Sequence, residues 1–312
     1  MEDLDGLPRS IGGLSFIRDS DNHKTEKPYK WTAALEASKE HLRTNISLET
    51  RDDIAFRDIR SLINSDKLSV REHGFQILRH PNMDYSVKQQ DSTLEEYVSG
   101  LVESIKEATS AEFACCVNFV FRQCTQAMIA NPEKISQMAG TSGSAKEPEL
   151  PAFPAHADYS RLQGCNVVNE TLKEAERAKY LTDEYTIWLL NTWSPLYKPV
   201  QNAPLAFCHP ASVSPSDVVE VDAVRPGRVT GVRYLKYKPE HQWYWCSNQC
   251  PNEVSIFKSW DSDPNHRLPF VPHGAVRFNL DVSEDIETPN TVLRDSLETR
   301  MIVILRNTPE EG

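Results

Sequence analysis

The chain has 312 residues, a quarter of them charged, with a net charge of −11 and a pI near 5.4. That acidity argues against nucleic acid or an anionic membrane surface as the main ligand. The opening MEDLDGLPRS lacks the basic and apolar segments of a signal peptide, no run reaches the roughly 18 apolar residues of a membrane span, and the seven cysteines have no framework spacing, so a reduced cytosolic protein is expected.

In chain order, residues 1–45 read as a polar N-terminal arm that includes a short helix over Trp31 to Leu42. Residues 46–306 are the expected core of a single domain. His73 to Leu78 is a strand entered through Gly74. From Leu94 to Ala108 the residues Leu94, Tyr97, Val98, Leu101, Val102 and Ile105 recur at helical spacing, with Glu95, Glu96, Glu103 and Lys106 opposite, which is a helix laid on a core. Phe113 to Phe121 is a β-rich apolar run, read as a buried strand. Residues 139–150, AGTSGSAKEPEL, have the composition of a flexible loop, either covering a pocket or simply a solvated connector.

Val168 to Tyr180 reads as an amphipathic helix, followed by strands at Thr186 to Trp193, Pro204 to Cys208, Gln242 to Trp245, Glu253 to Lys258 and Leu297 to Leu305. Short strands punctuated by 20 prolines, with helices mainly in the first half, indicate a mainly β fold with flanking α-helices. The expected core is a double-stranded β-helix, a cupin-like jelly roll, whose mouth suits a metal and an apolar substrate pocket.

His156-Ala157-Asp158 is the only His-x-Asp of the chain. On an extended segment residues i and i+2 share a face, so the imidazole and the carboxylate can meet on one metal ion. The third ligand is expected from His273. His266 is the rival, but it sits in a turn-like segment from Asp263 to Arg267. Two His and one carboxylate leave positions open for a co-substrate and dioxygen, as in non-haem Fe(II) oxygenases. Arg294-Asp295-Ser296 then offers a forked cation and a hydroxyl for the far carboxylate of 2-oxoglutarate. Cys246 and Cys250 lack the further ligands of a zinc site. Asp58 and Arg60 read as a structural ion pair, and Walker-type and dinucleotide Gly motifs are absent.

The succession Asp58-Ile59-Arg60, His73-Gly74-Phe75, Glu96-Tyr97, His156-Ala157-Asp158, Asn191-Thr192-Trp193-Ser194-Pro195, Pro272-His273-Gly274 and Arg294 to Arg300 resembles the fungal AsaB-like hydroxylase/desaturase family, with members similar to gibberellin desaturase and CmcJ. The similarity runs from about Ile54 to Arg300. It implies an Fe(II)/2-oxoglutarate-dependent dioxygenase of secondary metabolism, which oxidises an unactivated C–H bond of a small molecule by hydroxylation, desaturation or ring formation. By position, His156, Asp158 and His273 are then the iron ligands. Arg294 and Ser296 bind 2-oxoglutarate, with Arg300 the alternative at even spacing on the same strand. The chain departs from the family pattern at Tyr159, Ser194 and His209, where Gln, Arg and Asp are usual. Ser194 removes a charge partner expected near the site, and Tyr159, Trp193 and His209 are the candidates for the substrate pocket. The implied partners are a small-molecule substrate and dioxygen, and a homo-oligomer is left open. Two rival readings are a jelly-roll metalloenzyme that does not use 2-oxoglutarate, which Arg294-x-Ser296 argues against, and a catalytically silent pseudo-oxygenase kept as a partner subunit.

Overall fold

A computed structural model describes residues 4–307, apart from 5, 34, 64, 66, 81–86, 89, 126–147, 264, 265, 267, 268 and 279–291. Most of the expected loop at 139–150 lies outside the described residues. The segment read as an arm is part of a sheet: it carries β1 (Arg9–Ile17) and β2 (Tyr29–Trp31), and only a 3-10 turn, Ala37–Leu42, stands where a helix was expected. Overall polarity hid the strand, because the apolar content of β1 is concentrated in Leu14, Phe16 and Ile17, all buried. Pairing also overrides helix propensity, since Trp31 joins a ladder.

The chain continues through β3 (Leu48–Asp58), the one-turn helix α1 (Val70–His73), β4 (Phe75–Arg79), α2 (Asp91–Thr109), β5 (Phe113–Thr125) and β6 (His156–Ala157). The helix expected over 168–180 is two helices, α3 (Arg161–Thr171) and α4 (Glu174–Tyr180), divided at Leu172. Strands follow: β7 (Tyr185–Pro195), β8 (Leu205–Cys208), β9 (Val218–Arg225), β10 (Arg228–Leu235), β11 (Trp243–Trp245), β12 (Glu253–Asp261), β13 (His273–Ala275), β14 (Arg277–Phe278) and β15 (Val292–Arg306).

These strands make two sheets, the jelly-roll arrangement expected from the sequence. The larger runs β14-β1-β3-β11-β8-β13-β6-β10-β9-β2 and the smaller β4-β12-β7-β15-β5. Their facing surfaces meet through Phe75 and Phe207, stacked at 5.2 Å, and through Phe207 and Phe257 at 5.2 Å. The outer face of the smaller sheet is covered by α2, whose Leu94, Tyr97, Leu101 and Ile105 pack on Trp188, Leu190, Met301 and Val303. Each such side chain contributes roughly 1.5–3 kcal/mol on burial.

Strand β15 shows how one sequence serves two environments. Leu297, Thr299, Met301, Val303 and Leu305 alternate onto the α2 side. The opposite face is ionic over Arg294 to Arg300, then apolar at Ile302 and Ile304, where α3 and α4 cover it with Val167, Val168 and Tyr180. Position 194 falls on the α2 side. Ser194 Oγ lies 2.8 Å from Tyr97 Oη, so an arginine there would not be the charge partner expected near the site. The expected Asp58–Arg60 pair is also replaced: Asp58 accepts from backbone N–H groups of Arg60 and Ser247, while the Arg60 guanidinium binds the buried Glu253 at 2.7 Å.

Helix α3 lies directly on β12. A Cβ built on Gly164 would stand 2.3 Å from the indole of Trp260, which is held by its Nε1–H donating to Arg161 O at 3.1 Å. Gly164→Ala is therefore expected to destabilise the protein by about 1–3 kcal/mol, read as a lower midpoint in urea unfolding. An unchanged midpoint would show that the helix moves aside without cost.

Candidate metal centre

Strand β6 is only two residues long because Ser160 begins α3, its Oγ accepting from Gln163 N at 3.2 Å. Ala157 packs into the core, and His156 and Asp158 face the space between the sheets. His273 on β13 pairs directly with His156, so the antiparallel ladder brings the two imidazoles to a centroid distance of 4.4 Å. One ligand atom each from His156, Asp158 and His273 lies within 4.8 Å of the others. The rival His266 is 3.6 Å from Asp261 and is not part of this cluster.

Both imidazoles are fixed the same way. Nδ1 of His156 lies 2.8 Å from Pro154 O and Nδ1 of His273 lies 3.0 Å from Val271 O. A carbonyl only accepts, so each Nδ1 carries the proton and each Nε2 presents its lone pair. Asp158 divides its oxygens: Oδ1 is 3.5 Å from His156 Nε2, while Oδ2 accepts from Asn191 Nδ2 and from Arg300 Nε, the latter at 3.4 Å. Such outer partners fix which oxygen a metal meets. This donor set, two neutral nitrogens and one carboxylate oxygen, fits a divalent iron.

Arg300 is fully engaged. Besides Asp158 it donates to Glu298 at 2.8 Å and to Asn118 Oδ1 at 3.2 Å. Glu298 accepts in turn from Arg122 at 2.8 Å, and Arg122 reaches Glu149 at 3.2 Å. Burial works against ionising Asp158, but the Arg300 guanidinium, the strongest opposing influence, holds its carboxyl well below the usual range. Glu298 is likewise lowered, with Arg122 and Arg300 outweighing its burial.

Arg294 is different. It is 2% exposed, its guanidinium stacks over Trp193 at 5.0 Å, and its Nε and Nη1 have no hydrogen-bond partner among the described residues. Burial, then the neighbouring Arg122, brings its pKa down to about 10, which leaves it a cation at neutral pH. A cavity joins it to two of the three candidate ligands, lined by Arg294, His156, His273, Trp193, Phe257 and Leu205 among others. Ser296 is fully buried on the same strand face, with its Oγ 3.5 Å from Arg122 O. Of the pocket candidates, Trp193 lines this cavity and Tyr159 sits in the adjoining apolar cluster. His209 is elsewhere, edge-on to Phe75 and His73, with Nδ1 accepting from Ala211 N. Asn191, Glu298 and Arg122 were not singled out from the sequence, although Glu298 lies at the same even spacing as Arg294, Ser296 and Arg300.

The chain matches the family described as oxidoreductase/YMDC permease-like domain over residues 14–304. It is 29% identical over 269 residues to the hydroxylase/desaturase efuI of Hormonema carpetanum, covering 83% of this chain and 85% of that one. It is 28% identical over 257 residues to the alpha-ketoglutarate-dependent dioxygenase tstK of Talaromyces stipitatus, covering 80% and 84%. The solved structure of the iron and alpha-ketoglutarate-dependent endoperoxidase NvfI superposes with a TM-score of 0.74 at 18% identity, over 96% of this chain and 99% of that one, which shows a shared fold. The resemblance to hydroxylases and desaturases expected from the sequence is thus borne out. No helix among the described residues is long and apolar enough to cross a membrane.

His273 gives the site a pH signature. Burial, reinforced by His156, lowers its pKa from 6.5 to about 4. The unfolded chain takes up this proton first, so the associated stability is intact above pH 6.5 and is lost as pH falls towards 4. At about 1.4 kcal/mol per pKa unit the loss is of order 3 kcal/mol. The unfolding midpoint of chelator-treated protein should fall over that window, and by less in His273→Gln. Equal slopes for the two proteins would contradict the assignment.

Proposed function

The chain belongs to the oxidoreductase/YMDC permease-like domain family and is an Fe(II)/2-oxoglutarate-dependent oxygenase acting on a small molecule; from that premise we propose that His156, Asp158 and His273 hold its iron and Arg294 its co-substrate. The observation that carries this assignment is the buried Arg294 cation, whose Nε and Nη1 have no hydrogen-bond partner among the described residues, in the cavity that is also lined by two of the three ligands. A buried charge without a partner is costly, and a dicarboxylic acid is the kind of ligand that would repair it. A metalloenzyme that did not use 2-oxoglutarate would have no use for such a cation.

Iron, with 2-oxoglutarate and dioxygen, supplies the oxidising power to break an unactivated C–H bond in hydroxylation, desaturation or ring closure. The chain's own residues supply position. His156 and His273 present Nε2 lone pairs held by backbone carbonyls. Asp158 presents Oδ1 because Asn191 and Arg300 occupy Oδ2. Arg294 would take the far carboxylate as a charged donor, and Ser296, two residues along the same strand face, would add a second hydrogen bond only by turning its hydroxyl away from Arg122 O. Arg300 is set aside for that role because Asp158, Glu298 and Asn118 already use its donors. Phe257, Leu205 and Ala275 give the space between Arg294 and the ligands an apolar lining.

The test is succinate formation from 2-oxoglutarate that depends on Fe(II) and dioxygen. Asp158→Ala and His273→Ala are expected to abolish it. Arg294→Met should raise the 2-oxoglutarate KM by roughly a hundredfold or more, as for losing one partner of a buried charge pair, with iron binding retained. Wild-type-like behaviour in Arg294→Met would overturn the co-substrate assignment.

A further inference from the structure

Asn118 is the exposed residue in the middle of β5, and Arg300 Nη1 donates to its Oδ1 at 3.2 Å. A guanidinium only donates, so the amide turns its oxygen to Arg300 and its NH2 group away from it. Through the same guanidinium Asn118 is one side chain removed from Asp158. The side chains of His156 and Asp158 keep 15% and 11% of their exposure, so the centre is largely buried but reached from one side.

A second donor lies on the opposite side of β6. Tyr234 on β10 is the ladder partner of His156, as His273 is on the other flank. Directly paired residues of an antiparallel ladder point to the same face, so His273, His156 and Tyr234 form one row towards the interior. The Tyr234 hydroxyl makes no hydrogen bond to another described residue. A phenol is protonated at neutral pH, so this hydroxyl is a donor. Val232 continues the same face of β10 two residues away.

The charges around this opening are already matched, with Arg300 shared between Asp158 and Glu298. What borders it is uncharged: the amide NH2 of Asn118, the phenol O–H of Tyr234 and the side chain of Val232. We propose that Asn118 and Tyr234 are the substrate-positioning donors of this oxygenase, and that they recognise a carbonyl or ether oxygen on a neutral, otherwise apolar molecule. The inference rests on the metal-site reading above and adds the substrate class. A carboxylate substrate would need a cation here, and an amine would need an acceptor.

The experiment uses the full chain loaded with Mn(II) and 2-oxoglutarate, and follows the paramagnetic relaxation of the protons of three probes: cyclohexanone, cyclohexanecarboxylate and cyclohexylammonium. Relaxation of water protons reports separately whether Mn(II) is held. Cyclohexanone should be relaxed by the bound Mn(II), and the two charged probes far less. Tyr234→Phe, which keeps the ring, and Asn118→Ala should each weaken the cyclohexanone effect about three- to tenfold, as for one lost hydrogen bond, without loss of Mn(II). Asn118→Asp keeps an oxygen towards Arg300 but replaces the outward donor by an acceptor, and should lose cyclohexanone as Asn118→Ala does. Equal effects for all three probes, no cyclohexanone effect in protein that holds Mn(II), or wild-type behaviour in both Asn118→Asp and Tyr234→Phe would overturn the assignment. Failure to hold Mn(II) would instead remove the metal site on which it stands.

Discussion

The contact on which the site depends is the pairing of Asp158 with Arg300 across the gap between the two sheets. Asp158 comes from the end of β6 in the larger sheet and Arg300 from β15 in the smaller one. Removing a carboxylate from water is costly, and a single ion pair inside a protein seldom offsets that cost alone. Here the cost is distributed along a chain of alternating charge, Asp158, Arg300, Glu298, Arg122 and Glu149, in which every member has a hydrogen-bonded partner. The network keeps Asp158 ionised and turns one of its oxygens towards the two imidazoles.

The backbone does the corresponding work for the histidines. Two neighbouring strands in register supply both rings, and two carbonyls, each two residues back, select the tautomer. Ligand geometry is therefore set by sheet pairing and does not depend on flexible loops. The ionic half of β15 can exist only because its other half, with Ile302 and Ile304 under α3 and α4, anchors the strand by apolar burial. Position and chemistry are divided along one strand.

Much of this was legible in the sequence, and for physical reasons. The helix at 91–109 and the strands at 185–195 and 253–261 are long and strongly patterned, so periodicity found them. His156-x-Asp158 was legible because a strand puts alternate residues on one face, and His273 because it follows in a strand-like context ahead of Arg294-x-Ser296, an order that the family resemblance reinforces. The strands within 9–31 were not legible, since β1 earns its place through three buried residues in a polar stretch. The hairpin of β9 and β10 was also missed, and with it Tyr234. The partners of Asp158 could not be read either: Asn191 and Arg300 belong to strands that meet β6 only in three dimensions. The sequence placed Ser194 and His209 near the site by analogy, whereas one faces α2 and the other packs on Phe75.

The central claim is that one cavity holds an iron at His156, Asp158 and His273 and a dicarboxylate at Arg294. The measurement that tests it most directly is anaerobic addition of Fe(II) and then 2-oxoglutarate to the protein, followed by visible absorption spectroscopy. A weak metal-to-ligand charge-transfer band should appear only with both components, be absent in Asp158→Ala, and need far more 2-oxoglutarate in Arg294→Met. Iron binding without such a band, or a band indifferent to both substitutions, would contradict it.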